Sequence, residues 1–464
     1  MIYSKLGPNT FLLVVALTFS IAFTGATVCS AQSDQGTGAS PGAGLLEAVC
    51  SDDVQRVEQL LTQGAAINER NLYQVTPLSL ACEYGHADVA LRLIKANAEI
   101  DSPRLGKETS LMLAARNGDA DIVKALLEAG AEVDHRDNKG QTALMWAAAA
   151  GNLDAVDLLI NAGADVDYHL DWAGFSAFHF AAREGRTEVV KRFLDGGFDV
   201  NAVIYPKGGG GRNPRYEMSA LLFAVESAHF ELAIELIKAG ADPNDQRSGY
   251  AALHAVTWVR RTKLGDNPLG DPAPRGSGDL TSLQFVDQII ELGADVNLQL
   301  SSGIARGQAN LNSKGATPFL LAAQTADLPL MKLLLKHGAD PKLTNADGCT
   351  ALIAAAGIGS VAVGEEPASE TEVCAAIELL VELGLDVNAV DENLETPMHG
   401  AAYRNYPKAV DLLAALGADP YKWNHKNRFK WSPFDIGHGF RPGSLKPSPP
   451  TLKALERAAG KSVD

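Results

Sequence analysis

The sequence predicts an all-α solenoid of about 10 to 11 helix–turn–helix repeats, broken by three loop insertions. Two recurring phrases and one fixed spacing predict it. A closing phrase reads GAEVD at Gly130–Asp134, GADVD at Gly163–Asp167, GADPN at Gly240–Asn244 and GADVN at Gly293–Asn297, with GADP at Gly338–Pro341 and Gly417–Pro420. An opening phrase reads TPLS at Thr76, TSLM at Thr109, TALM at Thr142, SAFH at Ser176, SALL at Ser219, TPFL at Thr317, TALI at Thr350 and TPMH at Thr396. Thr76, Thr109 and Thr142 lie 33 residues apart, as do Thr317 and Thr350. A repeat chain grows along one axis, so its length of 464 residues does not translate into a count of globular domains.

Each part of the repeat has a local reason. Thr or Ser stands at the N-cap, where its hydroxyl accepts from an orphan backbone N–H. Pro at the first helical position gives up a donor that had no partner there. The following Leu and paired Ala, as in Leu111–Ala115, form a thin apolar stripe that lets a first helix approach its neighbour closely. Gly85, Gly118, Gly151 and Gly185 end the first helices. The second helix carries a larger stripe, such as Ile122, Val123, Leu126 and Leu127, and a glycine such as Gly130 or Gly163 closes it in a left-handed cap. One such pair cannot bury its apolar face alone, so stacking supplies the core.

The 33-residue period and the opening phrase resemble the ankyrin-repeat family over residues 45–440. The resemblance implies a curved stack that binds another protein with its concave face of loop tips and first helices. The first unit, 45–71, lacks the Thr-Pro opening and carries polar Ser51–Asp53, as an end cap should; the last, from Trp431 to Ala459, closes on a plain amphipathic helix. The sequence therefore divides into a signal peptide at 1–31, a flexible linker at 32–44, the repeat domain at 45–459 and a tail at 460–464.

The signal-peptide reading rests on Lys5, the apolar stretch Phe11–Phe23 and the small residues of Cys29-Ser30-Ala31 before Gln32. The apolar run is shorter than the ~20 residues that span a bilayer, so no membrane insertion is expected after cleavage; the alternative is a segment retained as an uncleaved anchor. The mature protein is expected to be exported, periplasmic or extracellular, and monomeric. The net charge of −16 repels phosphate backbones and argues against a nucleic-acid partner. Cys50 and Cys82 hold equivalent positions in successive repeats, where stacked helices ~8–10 Å apart exceed the ~7 Å limit for a disulfide. They, with Cys349 and Cys374, are read as small hydrophobes rather than a disulfide framework.

The insertions break the period. The first, between Asn201 and Ser219, contains Lys207, four glycines, Arg212, Arg215 and Tyr216 on a loop between repeats. The second splits a repeat after Trp258-Val259-Arg260-Arg261 and runs to Gly278; the third, Gly357 to Glu372, is small and acidic. A further loop after Asn297 is lengthened through Arg306 to Lys314. Arg and aromatic side chains are enriched at binding hot spots, and in this acidic chain the first two insertions collect both. The expected partner-binding residues are Tyr84, Trp146, Trp172, Phe175, Arg183, Lys207, Arg212, Arg215, Trp258, Arg260, Arg261 and Tyr403, with Trp146 equally placed to be core. The Trp-Val-Arg-Arg insert and the later Thr317–Ala323 run also resemble a group of exported bacterial ankyrin-repeat proteins, which brings no activity with it.

No pattern for catalysis, cofactor or metal emerges. Gly38-Ala39-Ser40-Pro41-Gly42 spells a nucleophile elbow but lacks the strand and helix that motif requires. The tetraglycine at 208–211 has no Gly-Lys-Ser/Thr after it. Five of the ten histidines are explained by the repeat: His179, His254 and His399 fill the fourth place of the opening phrase, and His86 and His229 follow first helices; His438, between Gly437 and Gly439, is not explained by it. The reading is a non-catalytic scaffold that holds a protein. Its alternatives are an effector that binds a protein of another cell, and an enzyme with a site in the 258–280 insertion.

Overall fold

The computed structural model describes residues 41–207, 216–261, 274–303, 311–359, 367–440 and 446–460. Residues 1–31, Arg212, Arg215 and Arg306 lie outside the described residues. Among the described residues there are 23 helices, one isolated antiparallel bridge between Val203 and Ser219, and no longer strand. Apart from one short extra helix, the helices run along the chain as eleven consecutive pairs, within the expected range. The chain forms two compact units, Met1–Ala224 and Val225–Asp464.

In the first unit the first helices are α1 (Pro41–Cys50), α3 (Pro77–Tyr84), α5 (Ser110–Asn117), α7 (Ala143–Ala150) and α9 (Ala177–Arg183). Their partners are α2 (Val54–Thr62), α4 (Ala87–Lys95), α6 (Ala120–Glu128), α8 (Leu153–Asn161) and α10 (Thr187–Asp195). Each first helix packs on the next first helix and each second helix on the next second helix. Helix α11 (Ala220–Glu226) carries the boundary between the units. The second unit repeats the scheme with α12 (Phe230–Lys238), the pairs α13 (Ala252–Arg260) and α14 (Ser282–Glu291), α15 (Pro318–Gln324) and α16 (Leu328–Lys336), α17 (Ala351–Ala356) and α18 (Glu370–Glu382), and α19 (Pro397–Arg404) and α20 (Pro407–Ala415). A short α21 (Pro420–Trp423) precedes the closing pair α22 (Pro433–Gly437) and α23 (Pro449–Ala458). Helix α1 begins at Pro41, inside the segment read from sequence as linker.

Local chemistry sets these boundaries as the repeat phrase implies. The hydroxyls of Thr76 and Thr317 accept from Ser79 N at 3.1 Å and Leu320 N at 3.2 Å, and proline follows each of them. Gly85, Gly118 and Gly151 cap their helices with φ of 71°, 88° and 87°, a region in which any side chain carries strain. The seam between first helices is made of fully buried alanines: Ala114 and Ala115, Ala147 and Ala148, Ala181 and Ala182 in the first unit, and Ala322, Ala354 and Ala401 in the second. Ile122, Val123, Leu126 and their counterparts fill the space behind, each contributing about 1.5–3 kcal/mol on burial.

The closing phrase does more than terminate a helix. Its last residue clamps the next repeat. Asn68, Asp101 and Asp134 accept from the backbone N–H of Glu99, Glu132 and Asp165 at 2.8, 3.1 and 3.1 Å. In the second unit Asn244, Asn297 and Asn388 each make two bonds. Their carboxamides accept from Asp295, Asp340 and Asp419 N (2.7–2.8 Å) and donate to the carbonyls of Gly293, Gly338 and Gly417.

Cys82 is a buried free thiol, pushed up to about 12 by burial, and Cys349 and Cys374 are free as well. Cys50 departs from expectation. It is disulfide-bonded rather than a free small hydrophobe.

The opening-phrase histidines lock each first helix to the loop that follows. In His179, His254 and His399 Nδ1 accepts from the N-cap backbone N–H at 3.3–3.4 Å. Nε2–H donates to Ala202 O, Leu298 O and His425 O at 2.9–3.2 Å. The Nδ1 bond needs the neutral ring, and burial lowers the three pKa values to about 4, 4 and 3. A ring with a depressed pKa stabilises the fold above its unfolded value of 6.5 and loses that contribution as pH falls toward 4. Glu395 runs the other way. Burial, with Asp391 as a nearby like charge, pushes its carboxyl from 4.5 up to about 7. Its favourable contribution is complete below pH 4.5 and lost as pH rises through 7. Urea midpoints should therefore separate two variants. Glu395→Gln gains on wild type as pH rises from 4.5 to 7, whereas the cost of His254→Gln shrinks as pH falls from 6.5 to 4.

Candidate protein-binding surface

The loops that join one repeat to the next fold into tight hairpins, several of them around an Asx residue. Asn71 and Asp137 accept from backbone N–H groups two and four residues on: Tyr73 and Val75 at 2.9 and 3.0 Å, Lys139 and Gln141 both at 2.8 Å. Asn345, Asp391 and Asn427 do the same in the second unit. Locally satisfied backbone at the base frees the residues at the tip from any packing duty.

In the first unit these tips touch one another in file. Asn138 N donates to Gly106 O at 2.9 Å, Trp172 Nε1 to Lys139 O at 3.1 Å and Lys207 N to Trp172 O at 3.1 Å. Gly174, at φ 72°, allows this approach, since a Cβ there would lie 2.6 Å from Tyr205 N. What the tips present is apolar. Leu72 is 91 % exposed, Leu105 62 %, Trp172 43 %, Tyr205 53 % and Tyr216 58 %. Tyr205 and Tyr216 meet edge to face, 5.3 Å between centroids, across the stem of the first insertion, where Ile204 and Met218 pair. Exposed Lys107, Lys139 and Lys207 stand among them, the last 3.4 Å from Asp171.

The other expected contact residues fall elsewhere. Phe175 is closed off in the core, its ring 4.7 Å from Phe223 and 5.2 Å from Phe180. Tyr403 is also core, since its hydroxyl donates to the buried Glu395 at 3.0 Å and Asn427 donates to it. Trp146 lies in the seam with the Arg116 guanidinium 5.0 Å over its ring. Phe175 and Tyr403 are corrections to the surface reading and Trp146 resolves as core, because a ring on a first helix, or just before its N-cap as Phe175 is, packs inward before it faces solvent. Arg183 sits over Phe175 and Phe180 and pairs with Glu184 at 2.8 Å. Tyr84 is half-buried and stacks on His86 at 5.4 Å.

The Trp-Val-Arg-Arg run is likewise spent internally. Trp258 is half-buried against Tyr250 at 5.1 Å. Arg260 grips both carboxylate oxygens of the buried Asp327 at 2.7 and 3.0 Å and donates to Ser282. Arg261 reaches past the α15–α16 pair to Glu372 at 2.7 Å, a bond that holds the Glu372 carboxyl down at about 2. The returning leg of the insertion lies against α12, with Ser277 N donating to His229 Nδ1 at 2.9 Å and Asp279 N to Glu231 at 2.8 Å. The stem of this insertion is thus a brace, not a display of cations.

The comparisons with known proteins agree with this architecture. The family described as "Ankyrin repeats (3 copies)" matches residues 45–137, 111–204 and 319–424, together more than half of the chain. The chain belongs to the ankyrin-repeat family. Ankyrin-repeat chains similar to it include the nuclear factor NF-kappa-B p105 subunit of Gallus gallus, 33 % identical over 172 residues (32 % of this chain, 16 % of that protein). Also similar are "Ankyrin repeat, SAM and basic leucine zipper domain-containing protein 1" of Dasypus novemcinctus, 32 % identical over 105 residues (23 % of this chain, 20 % of that protein), and the 2-5A-dependent ribonuclease of Homo sapiens, 36 % identical over 102 residues (22 % of this chain, 12 % of that protein). The chain spans a fifth or less of each of these relatives. Among the described residues no helix is long and apolar enough to cross a membrane.

The ankyrin-repeat tips missing from the sequence reading are Leu72, Tyr73, Leu105, Lys107, Lys139 and Tyr205. The repeat register was their signal, since Leu72, Leu105 and Asn138 are each 33 residues apart. Two substitutions should separate brace from tip in urea unfolding. Arg260→Ala strands Asp327 and costs about 3 kcal/mol, whereas Lys107→Glu shifts stability by no more than about 0.5 kcal/mol.

Proposed function

We propose that this protein is an exported, non-catalytic, monomeric scaffold that captures another protein with the loop tips of its first unit. One observation carries the reading. Eleven large hydrophobic side chains are exposed among the described residues, and six of them, Leu72, Tyr73, Leu105, Trp172, Tyr205 and Tyr216, sit on these tips. Exposed apolar groups gathered in one place mark an interaction surface, whereas scattered ones need no explanation. Aromatic rings with a polar handle suit such a surface, because they supply large rigid area for little ordering entropy. The net charge of −16 supports a protein rather than a nucleic acid as partner. Lys5 and the apolar run at 11–23 support export.

Crosslinking pull-down from the envelope fraction tests the scaffold reading. Leu105→Ser with Trp172→Ala should lower capture of the wild-type partner at least about tenfold with an unchanged melting temperature. Equal capture by the double variant refutes it. Export is read by mass spectrometry of the mature chain, which should begin at Gln32; a chain that keeps residues 1–31 refutes cleavage.

A further inference from the structure

We infer that the closing repeat of the second unit docks peripherally on an anionic lipid surface, through four exposed cations and the exposed apolar side chains set among them. None of these residues belongs to the tips of the first unit, so the assignment stands whether or not those tips capture a protein.

Charge sets the closing repeat apart. Between Pro420 and Trp431 the chain carries Lys422, Lys426, Arg428 and Lys430, and no acid, although its total is −16. All four cations are exposed. Lys422, Arg428 and Lys430 form no ion pair among the described residues. The acids around them are largely committed. Asp435 lies 3.9 Å from Lys426, but its carboxylate already accepts from the N–H and the hydroxyl of Ser432 at 2.8 and 2.9 Å. Asp419 caps α21 through Tyr421 N at 2.9 Å, and Asp411 takes Arg457 at 2.7 Å. Asp391 and Glu395 are buried. Glu392 is left as the exposed acid of the adjoining hairpin. Counted in full beside it, Asp419 and Asp435 still leave the four cations in excess.

Apolar groups gather in the same place. Outside the first-unit tips, the large hydrophobic side chains exposed among the described residues are Leu292 and the four of this surface: Val390, Leu394, Tyr421 and Phe440. Backbone contacts bring these four and the cations together. Arg428 N donates to Asn393 O at 2.8 Å, next to Leu394. The His425 ring lies 2.9 Å from Leu394 O and 2.7 Å from Lys422 O. Lys426 and Phe440 meet at Asp435, since Phe440 N donates to its carbonyl at 3.0 Å. Tyr421 directly precedes Lys422 in α21.

The form of the patch favours lipid over a protein partner. Val390 and Leu394 stand on a hairpin, Tyr421 on α21 and Phe440 past the end of α22, so the apolar groups project singly from separate elements. A protein hot spot is a ring that fills a pocket inside a packed rim. Rings as bare as Tyr421 at 98 % and Phe440 at 59 % exposure instead gain by leaving water for the acyl boundary, where tyrosine keeps its hydroxyl at the headgroups. Three of the four cations are lysines. Lysine is a compact charge without the planar fork that fixes one carboxylate partner, and it suits a diffuse anionic surface. Each such cation contributes about fivefold in affinity for anionic lipid. Acids elsewhere in the chain oppose this weakly beyond a Debye length of ~8 Å at physiological salt.

The test is co-sedimentation of the full mature chain with vesicles of phosphatidylcholine, alone or mixed equally with phosphatidylglycerol. The mixed vesicles should bind at least about tenfold more strongly, and salt at about 1 M should remove the difference. Lys422→Glu with Lys430→Glu, and Tyr421→Ser with Phe440→Ser, should each weaken binding to mixed vesicles at least about tenfold at an unchanged melting temperature. Leu105→Ser with Trp172→Ala should bind them as the parent does. Equal binding to the two vesicle types, patch variants that bind like the parent, or loss of binding by the tip variant instead would overturn the inference. So would a fluorescein-labelled polyglutamate peptide that binds as tightly as the mixed vesicles and is indifferent to Tyr421→Ser with Phe440→Ser, because the patch would then belong to an acidic protein.

Discussion

Everything in this protein depends on the close approach of one first helix to the next. Fully buried alanines such as Ala114, Ala147 and Ala181 make that approach possible, because a methyl group is all the space allows. With the helices so near, the histidines of the opening phrase reach the loop that follows, and the Asn or Asp that ends most closing phrases reaches the amide of the next one. These polar bonds fix how far one repeat is displaced from the next. Alanine supplies proximity, and the histidine and Asx side chains supply register.

A platform follows from that division of labour. Apolar burial is concentrated between the helices, so the tips add little to stability beyond the few bonds that join one tip to the next. In the first unit they carry leucine, tyrosine, tryptophan and lysine. The second unit uses its basic residues differently. Arg260 and Arg261 bind Asp327 and Glu372, and the buried Arg404 donates to Gln324 O at 2.6 Å. Arg261 and Arg404 couple repeats that are not neighbours in sequence, an addition to the nearest-neighbour stacking that ordinarily stabilises a solenoid.

The fold was almost wholly legible, because a 33-residue period and two phrases report local chemistry repeated many times over. Helix starts, left-handed caps and the alanine seam could each be read from one repeat and transferred to the next. The candidate surface was much less legible. Residue type suggested Phe175 and Tyr403, yet type alone does not say which way a ring points, and both point inward. Arg260 and Arg261 looked like surface cations because their acidic partners lie 67 and 111 residues away, beyond any local pattern. Leu72 and Leu105 were overlooked for the opposite reason. An isolated leucine in a loop carries no signal until the repeat register sets it beside its equivalents. Cys50 was misread because the equivalence of stacked positions says only that it does not pair with Cys82.

The seam itself is the most direct object of test. Replacing Ala147 by leucine adds three carbons where α7 meets α5 and α9, with no charge, cap or tip altered. Urea unfolding of the full chain should show a loss of about 1–3 kcal/mol, as expected of an overpacked core. A leucine variant as stable as the parent would mean that the first helices do not lean on one another, and the account would fail at its root.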